Sequence, residues 1–245
     1  MIDIENAKKV FNEYVKNFNP EDGRIKLKIE HILRVANYSK QIATNLKLSE
    51  EQIQLATLIG LLHDIGRFKQ YTDIGLGNNL EGFDHGDYGT KLLFKEGLIR
   101  KFIETNKYDE IIKKSIKNHN KFSIEAGLTQ EELLFAKLIR DADRTDIFYI
   151  LITGEEKTIW ETDNMNNEIV TNEIYREFIE DKHIKFKNME TSGDILVGHF
   201  AYIYGLYFKP ALKIFKDKKY VDQLYNRFSF TNKDTAEKFK VIYEK

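Results

Sequence analysis

The spacing of prolines and apolar residues constrains the fold of this chain more than any other feature. Its two prolines, Pro20 and Pro210, leave residues 21–209 free of the residue that most often breaks helices. The intervening sequence is rich in Lys, Glu, Ile and Leu, which favour long helices. Apolar residues recur at spacings of three and four, and no strand-like alternation persists. The chain is therefore predicted to be all-α.

One apolar helix is predicted to end at a histidine next to an aspartate, His63 and Asp64. Adjacent side chains point in different directions along a regular helix, so a shared role requires a helix end. Gly66 is predicted to stop this helix. A neutral imidazole and a carboxylate are both common metal ligands. The pair alone is weak evidence, because such dipeptides also occur by chance.

Two capping boxes and a glycine-rich stretch predict where helices begin and where a functional connection lies. Ser49 with Gln52, and Thr129 with Glu132, have the spacing of capping boxes. Asp84 has the chemistry of a helix cap. A long glycine-rich connection inside a domain is usually functional or mobile, and we expect it to close over a ligand. Residues 66–89 contain Gly66, Gly75, Gly77, Gly82, Gly86 and Gly89.

Further histidines and aspartates follow at intervals of about one helix and one turn. In order along the chain they are His31, His63, Asp64, His85, His119 and Asp143. Each has an ordinary explanation alone: a core histidine, a cap or a salt-bridged carboxylate. Consecutive antiparallel helices would nevertheless return each of them to a common centre. Their joint occurrence therefore predicts a metal site.

Over roughly residues 26–154, the sequence resembles the HD-domain metal-dependent phosphohydrolases. The resemblance rests on His31, the Leu-Leu-His63-Asp64-Ile-Gly pattern, Asp84-His85-Gly86, the helix end at His119, and Ala142-Asp143-Arg144. It implies an HD-domain helical bundle with a C-terminal helical extension. We expect residues 1–153 to form the metal-binding core with an N-terminal helix. Residues 154–245 are expected to pack on that core, so that the two parts form a single compact unit.

The resemblance also implies a set of ligands. His31, His63, Asp64 and Asp143 would bind one metal ion. In members with a binuclear centre, two further histidines, matched here by His85 and His119, bind a second ion. Asp64 would then bridge the two. The expected cofactors are two divalent transition metal ions, with Fe, Mn, Ni, Co and Zn all open.

Several neighbouring residues are candidates for supporting roles. Asp143 is preferred to Asp141 because its sequence context matches the last ligand of the family, and a helix turns the two about 200° apart. Asp146, one turn on, is positioned to hydrogen-bond a metal-binding histidine. Arg67 is expected to act with Asp64 in catalysis and to bind the substrate phosphate. Arg144 either binds substrate too or pairs with Asp141.

The leading functional prediction is a hydrolase that cleaves a phosphate mono- or diester of a small molecule with a metal-bound hydroxide. Nucleotides and sugar phosphates are candidate substrates. A mixed-valent diiron oxygenase of the HD fold stays open, because the ligand set is the same. A ligand-sensing regulatory protein is less favoured, since all six expected ligands are present. The sequence lacks the signatures of the stringent-response hydrolases and of the cyclic-di-GMP subgroup.

Composition limits compartment and partners. The chain has no cysteine, which excludes disulfides and thiolate ligands. A net charge of −1 gives no reason to expect nucleic acid as a partner. The N-terminus lacks a secretory signal pattern, and the apolar stretch 195–208 is too short for a bilayer. We therefore expect a cytoplasmic protein without a membrane partner, and homo-oligomer formation is left open. His183 and His199 are expected to be structural.

Overall fold

The computed structural model describes residues 2–74, 83–160, 162–182 and 184–245. Within these ranges the chain is helical and contains no strand, so the predicted all-α class is confirmed. The α-helices are α1 Ile4–Val15, α2 Gly23–Asn45, α3 Glu50–Leu62, α4 Ile65–Lys69, α5 His85–Thr90, α6 Ile99–Phe102, α7 Asp109–Asn118, α8 Gln130–Thr153, α9 Glu156–Trp160, α10 Asn172–Glu180, α11 Ser192–Ala201, α12 Lys209–Lys218, α13 Tyr220–Tyr225 and α14 Lys233–Glu244. None of them is long and apolar enough to cross a lipid bilayer.

The chain divides into two compact units, Met1–Asp146 and Ile147–Lys245, with the boundary inside α8. The predicted boundary after residue 153, and the predicted packing of residues 154–245 on the core, stay predictions.

Helices α2 and α3 form the closest pair in the first unit. A Cβ atom at Gly60 of α3 would lie 2.7 Å from the Cα atom of Ala36 and 2.8 Å from Ser39 Oγ. Only glycine permits this approach, because neither contact leaves room for a methyl group. The approach also brings the end of α3 close to the middle of α2.

Local capping explains where several helices begin. At the start of α3, Ser49 accepts a hydrogen bond from the Gln52 backbone N–H, and the Gln52 side chain accepts one from Ser49 N. The same exchange joins Thr129 and Glu132 before α8. Asp84 caps α5 by accepting from the Asp87 N–H. All three caps were predicted from sequence, because they depend on residues only three apart.

The prediction that Gly66 stops the preceding helix is wrong. Helix α3 ends at Leu62, and Gly66 lies inside α4, which continues into a π-helical turn at Gln70–Ile74. A Cβ atom at Gly66 would lie 2.6 Å from the carbonyl oxygen of His85 and 2.8 Å from Gly89 N. Its role is therefore close packing of α4 against α5, which a local sequence pattern does not reveal.

The second unit has its own aromatic core. Buried Phe148, Trp160, Phe200, Phe215 and Phe239 belong to one apolar cluster in it. Near the C-terminal end of this unit, α12 and α13 are two separate helices rather than one continuous helix. They are separated by Lys219, whose φ of 52° lies in the left-handed region.

Candidate metal centre

Five helices or their ends bring the predicted ligands together in the first unit. His31 lies on α2, His63 and Asp64 follow the end of α3, and His85 is the first residue of α5. His119 follows α7, and Asp143 lies on α8. Their ligand atoms fall into three overlapping groups with all atoms of a group within 4.8 Å of one another. The six predicted residues therefore meet, and their role as metal ligands stays a prediction.

One half of the cluster, here called the His31 half, gathers around one oxygen of Asp64. Asp64 Oδ2 lies 3.5 Å from His31 Nε2 and 3.5 Å from His63 Nε2. Asp143 Oδ1 lies 3.2 Å and 3.6 Å from the same two nitrogens. Two imidazoles and two carboxylates thus face one point.

The His85 half gathers around the other oxygen of the same carboxylate. Asp64 Oδ1 lies 3.4 Å from His85 Nε2 and 3.4 Å from His119 Nε2. Among the described residues, the shared carboxylate is the one that lies 3.4 Å from both imidazoles of this half. Asp64 divides the cluster, with one oxygen for each half.

The tautomers of two histidines direct lone pairs into the cluster. His63 Nδ1 donates a hydrogen bond to the Gly60 carbonyl at 2.8 Å, and His119 Nδ1 donates to the Ile116 carbonyl at 2.6 Å. A carbonyl only accepts, so each Nδ1 carries the proton and each neutral Nε2 presents a lone pair. His63 Nε2 lies 3.3 Å from His31 Nε2, and His119 Nε2 lies 3.1 Å from His85 Nε2. Nitrogens at these distances need either a proton or a metal ion between them.

The spacing of these atoms fits a divalent metal ion. Ligands about 2.1 Å from an ion lie roughly 3.0 to 3.4 Å apart in octahedral or tetrahedral geometry. The distances between the ligand atoms here, 3.1 to 3.6 Å, fall in or near that range. Asp64 Oδ1 is also buried without a hydrogen-bond partner among the described residues. An uncompensated buried carboxylate oxygen is costly, and a metal ion would compensate it.

The pKa values reflect the same concentration of negative charge. Burial and Lys28 lower the pKa of His31, but hydrogen bonds to Asp143, Asp146 and Asp64 outweigh them and raise it to about 10. Burial raises the pKa of Asp64, but Lys28 and the neighbouring histidines lower it well below its usual range. The cluster therefore attracts positive charge, whether as protons or as metal ions.

Behind His31 lies the hydrogen bond that was predicted for Asp146. Asp146 Oδ2 accepts from His31 Nδ1 at 2.7 Å. Arg34 holds the same carboxylate, donating from Nε to Oδ1 at 2.6 Å and from Nη2 to Oδ2 at 3.1 Å. Sequence reasoning missed Arg34, although its position one turn after His31 on α2 was a usable signal.

Two cationic side chains lie beside Asp64. Lys28 Nζ donates to Asp64 Oδ2 at 2.8 Å, and Arg67 Nε lies 3.9 Å from Asp64 Oδ1. Arg67 Nε is buried without a hydrogen-bond partner among the described residues, while Arg67 Nη1 donates to Gln70 at 2.8 Å. Arg67 was predicted from sequence. Lys28 was missed, although it lies one turn before His31 on α2.

Arg140 and Arg144 lie on α8, on either side of Asp143 in the sequence. Arg144 follows Asp143 by about 100° of helix rotation, so its side chain leaves α8 in another direction, and its role in substrate binding stays a prediction. Arg140 donates to the carbonyl oxygens of Asn118 and Phe122, which stabilises the loop after α7. His183 and residues 75–82 of the glycine-rich stretch lie outside the described residues.

His199 lies in the second unit, and its contacts there support the structural role predicted for it. Its Nδ1 donates to the Ile195 carbonyl at 2.7 Å, and its ring packs against Trp160 and Tyr202. Burial lowers its pKa to about 4, so the ring is neutral at physiological pH.

Comparison with known proteins finds one family model and one relative that match part of the chain. Residues 29–147 match the family model described as the HD domain. An uncharacterized protein of Methanocaldococcus jannaschii is 30% identical over 139 residues, which is 56% of this chain and 64% of that protein. The match thus spans less than two thirds of the relative. No solved structure matches the chain.

Proposed function

We propose that this chain is a metal-dependent phosphohydrolase, because residues 29–147 match the HD-domain family model. The proposed substrate is a phosphate mono- or diester of a small molecule. The family supports a metal-dependent hydrolase, and the ester and the reaction are our proposal. The observation that carries it is the division of the six ligands by Asp64, whose two oxygens face different histidine pairs.

The arrangement suits hydrolysis at a phosphorus atom. Two bound divalent ions would polarise the phosphate and lower the pKa of a water between them. The water oxygen would form a bond to phosphorus, the ester P–O bond would break, and the proton lost by the water would pass to the leaving alkoxide oxygen. The role of the chain is to hold both ions on Asp64 and to orient the ester. The four histidines and Asp143 complete the binding set.

Lys28 and Arg67 are proposed to bind the phosphate oxygens. They lie beside different oxygens of Asp64, at 2.8 Å and 3.9 Å. Metal ions held by Asp64 would compensate its charge, which would leave Lys28 and Arg67 available to an anionic ligand. Arg67 Nε has no hydrogen-bond partner among the described residues, so it supplies a donor that a phosphate oxygen can satisfy. These two cations favour an anionic substrate over a neutral one.

The proposed partner is a small phosphorylated molecule rather than a nucleic acid or a membrane. The net charge of −1 offers no basic excess for a polyanion. His63, His119 and Asp64 are buried, so the ester must enter a confined site. We also propose a cytoplasmic location, and homo-oligomer formation is left open.

Hydrolysis of two model substrates tests the proposal. Purified protein supplied with Mn²⁺, Co²⁺ or Ni²⁺ is incubated with p-nitrophenyl phosphate and with bis(p-nitrophenyl) phosphate. We expect hydrolysis of at least one, its loss on chelation, and its loss in Asp64→Asn. The control variant Lys26→Gln removes an exposed charge from α2 and should retain activity. Hydrolysis that survives Asp64→Asn would refute the proposal. Two bound irons with oxygen-dependent substrate loss and no hydrolysis would favour an oxygenase instead.

A further inference from the structure

The four histidines of the centre are oriented by different kinds of group. His63 and His119 donate to backbone carbonyls, and His85 Nδ1 lies 3.3 Å from the Asn120 side-chain amide. Among the described residues, His31 is the one of the four whose Nδ1 hydrogen-bonds a carboxylate, at 2.7 Å to Asp146 Oδ2. A carboxylate makes an imidazole a stronger donor of electrons to a metal ion than a neutral acceptor does. His31 should therefore be the strongest imidazole ligand.

Asp146 can serve His31 only if its own charge is stabilised. Its side chain is fully buried, and a buried ionised carboxylate without a cationic partner is costly. Arg34 supplies that partner through two hydrogen bonds, at 2.6 Å and 3.1 Å, in the bidentate geometry that suits guanidinium and carboxylate. The guanidinium also fixes the plane of the carboxylate, and with it the direction of Oδ2 towards His31.

The two halves of the centre also differ in charge. The His31 half contains Asp64 and Asp143, with Asp146 behind it. Among the described residues, the carboxylate that lies 3.4 Å from both imidazoles of the His85 half is the shared Asp64. Each half also has a cation beside Asp64, Lys28 at 2.8 Å in the His31 half and Arg67 at 3.9 Å in the His85 half. The additional carboxylates Asp143 and Asp146 therefore favour a cation in the His31 half.

We propose that Arg34 is a positioning residue that acts through Asp146 and His31 to make the His31 half the tighter of two unequal metal sites. The inference rests on the proposed metal centre and adds an order of binding to it. The first ion enters the His31 half, and the second, weaker ion enters the His85 half. The weaker ion is then the one whose occupancy follows the metal concentration.

A purely structural ion pair between α2 and α8 is the competing explanation. It predicts that removing Arg34 lowers stability without distinguishing between the two ions. If Arg34 instead positions His31, removing Arg34 should weaken the binding of the tighter ion only. Arg24 offers a matched control on the same helix, because it forms a similar two-bond pair with Asp22, at 3.2 Å and 2.8 Å, and Asp22 is not bonded to a histidine.

Stepwise titration of metal-stripped full-length protein with Co²⁺ or Mn²⁺, followed by calorimetry, tests the inference. In the wild type we expect two equivalents of unequal affinity, with the tighter step lost in Asp143→Asn and the weaker step lost in His85→Gln. Arg34→Met should weaken the tighter step by about 10- to 100-fold and leave the weaker step within about twofold. Arg34→Lys should recover part of the loss, and Arg24→Met should change neither step.

Each result has a defined meaning. An Arg34→Met protein with unchanged affinities, or with both steps weakened equally, overturns the inference while leaving the metal centre intact. If Arg34→Met does not fold, Arg34→Lys and Asp146→Asn decide, since a weakened tighter step is expected in both. A wild type that binds no metal refutes the proposed function itself.

Discussion

At the scale of single residues, Lys28 and Arg67 are expected to have different partners before and after metal binding. Both neutralise Asp64 in the absence of metal, and both are proposed to bind the phosphate in its presence. Lys28→Met and Arg67→Met should each raise the KM for a phosphomonoester by about tenfold or more, because a charge-assisted hydrogen bond is lost. Steady-state kinetics on metal-loaded protein measures this.

Lys26→Met is the control for that pair of substitutions, since Lys26 is exposed on the same helix as Lys28. It should leave KM unchanged. Metal content should stay at the wild-type level in all three proteins. An unchanged KM in both Lys28→Met and Arg67→Met would remove these residues from the phosphate site.

His199 makes a separate prediction about acid stability. Burial lowers its pKa to about 4, whereas an unfolded histidine has a pKa of about 6.5. Between these values the unfolded chain binds more protons, so the free energy of unfolding falls as the pH falls from 6.5 towards 4. The expected loss due to His199 is about 3 kcal/mol by pH 4. His199→Gln should lose correspondingly less over the same pH range.

The fluorescence of Trp160 reports this loss directly, because Trp160 is the only tryptophan and its ring packs against His199. Urea unfolding followed by fluorescence at pH 7.5, 6.0 and 4.5 compares the two proteins. Between pH 7 and 8 the difference in their unfolding free energies should stay constant. Parallel losses for both proteins below pH 6.5 would mean that His199 is not the titrating group.

At the scale of secondary-structure elements, Gly66 controls how closely α4 approaches α5. A methyl group there would meet the His85 carbonyl at 2.6 Å and Gly89 N at 2.8 Å, both of them backbone atoms. Gly66→Ala should therefore push His85 away from Asp64, cost about 1 to 3 kcal/mol of stability, and release the weaker metal ion. Elemental analysis and thermal unfolding measure the two effects.

Gly23→Ala is the matched control for Gly66→Ala, because it also lies in a helix and no atom lies within 4 Å of its added Cβ. It should retain metal and stability. A Gly66→Ala protein with the same metal content and stability as Gly23→Ala would show that the α4–α5 contact does not position His85.

How far the sequence predicts these elements depends on how local their causes are. The capping boxes at Ser49 and Thr129 were predicted because the bonded residues are three apart. The roles of Gly60 and Gly66 were not, since each depends on a helix distant in sequence. The break at Lys219 was also missed, because lysine gives no signal for a left-handed backbone.

At the scale of the whole molecule, the meeting of six scattered residues was predicted, but their arrangement was not. The intervals of about one helix and one turn between these residues predicted a common centre, and the family resemblance supplied the ligand set. The assignment of each Asp64 oxygen to a different histidine pair appears only in the packed structure. The same holds for Lys28 and Arg34, whose partners lie 36 and 112 residues away in sequence.

The most direct test of this account is the number of metal ions bound per chain. Wild type and Asp64→Asn are purified without chelator, dialysed against Mn²⁺ or Co²⁺, freed of excess metal, and analysed for metal content. The account predicts about two ions in the wild type and loss of both in Asp64→Asn, because each half of the centre uses one oxygen of Asp64. One ion or none in the wild type, or two ions retained by Asp64→Asn, would contradict it.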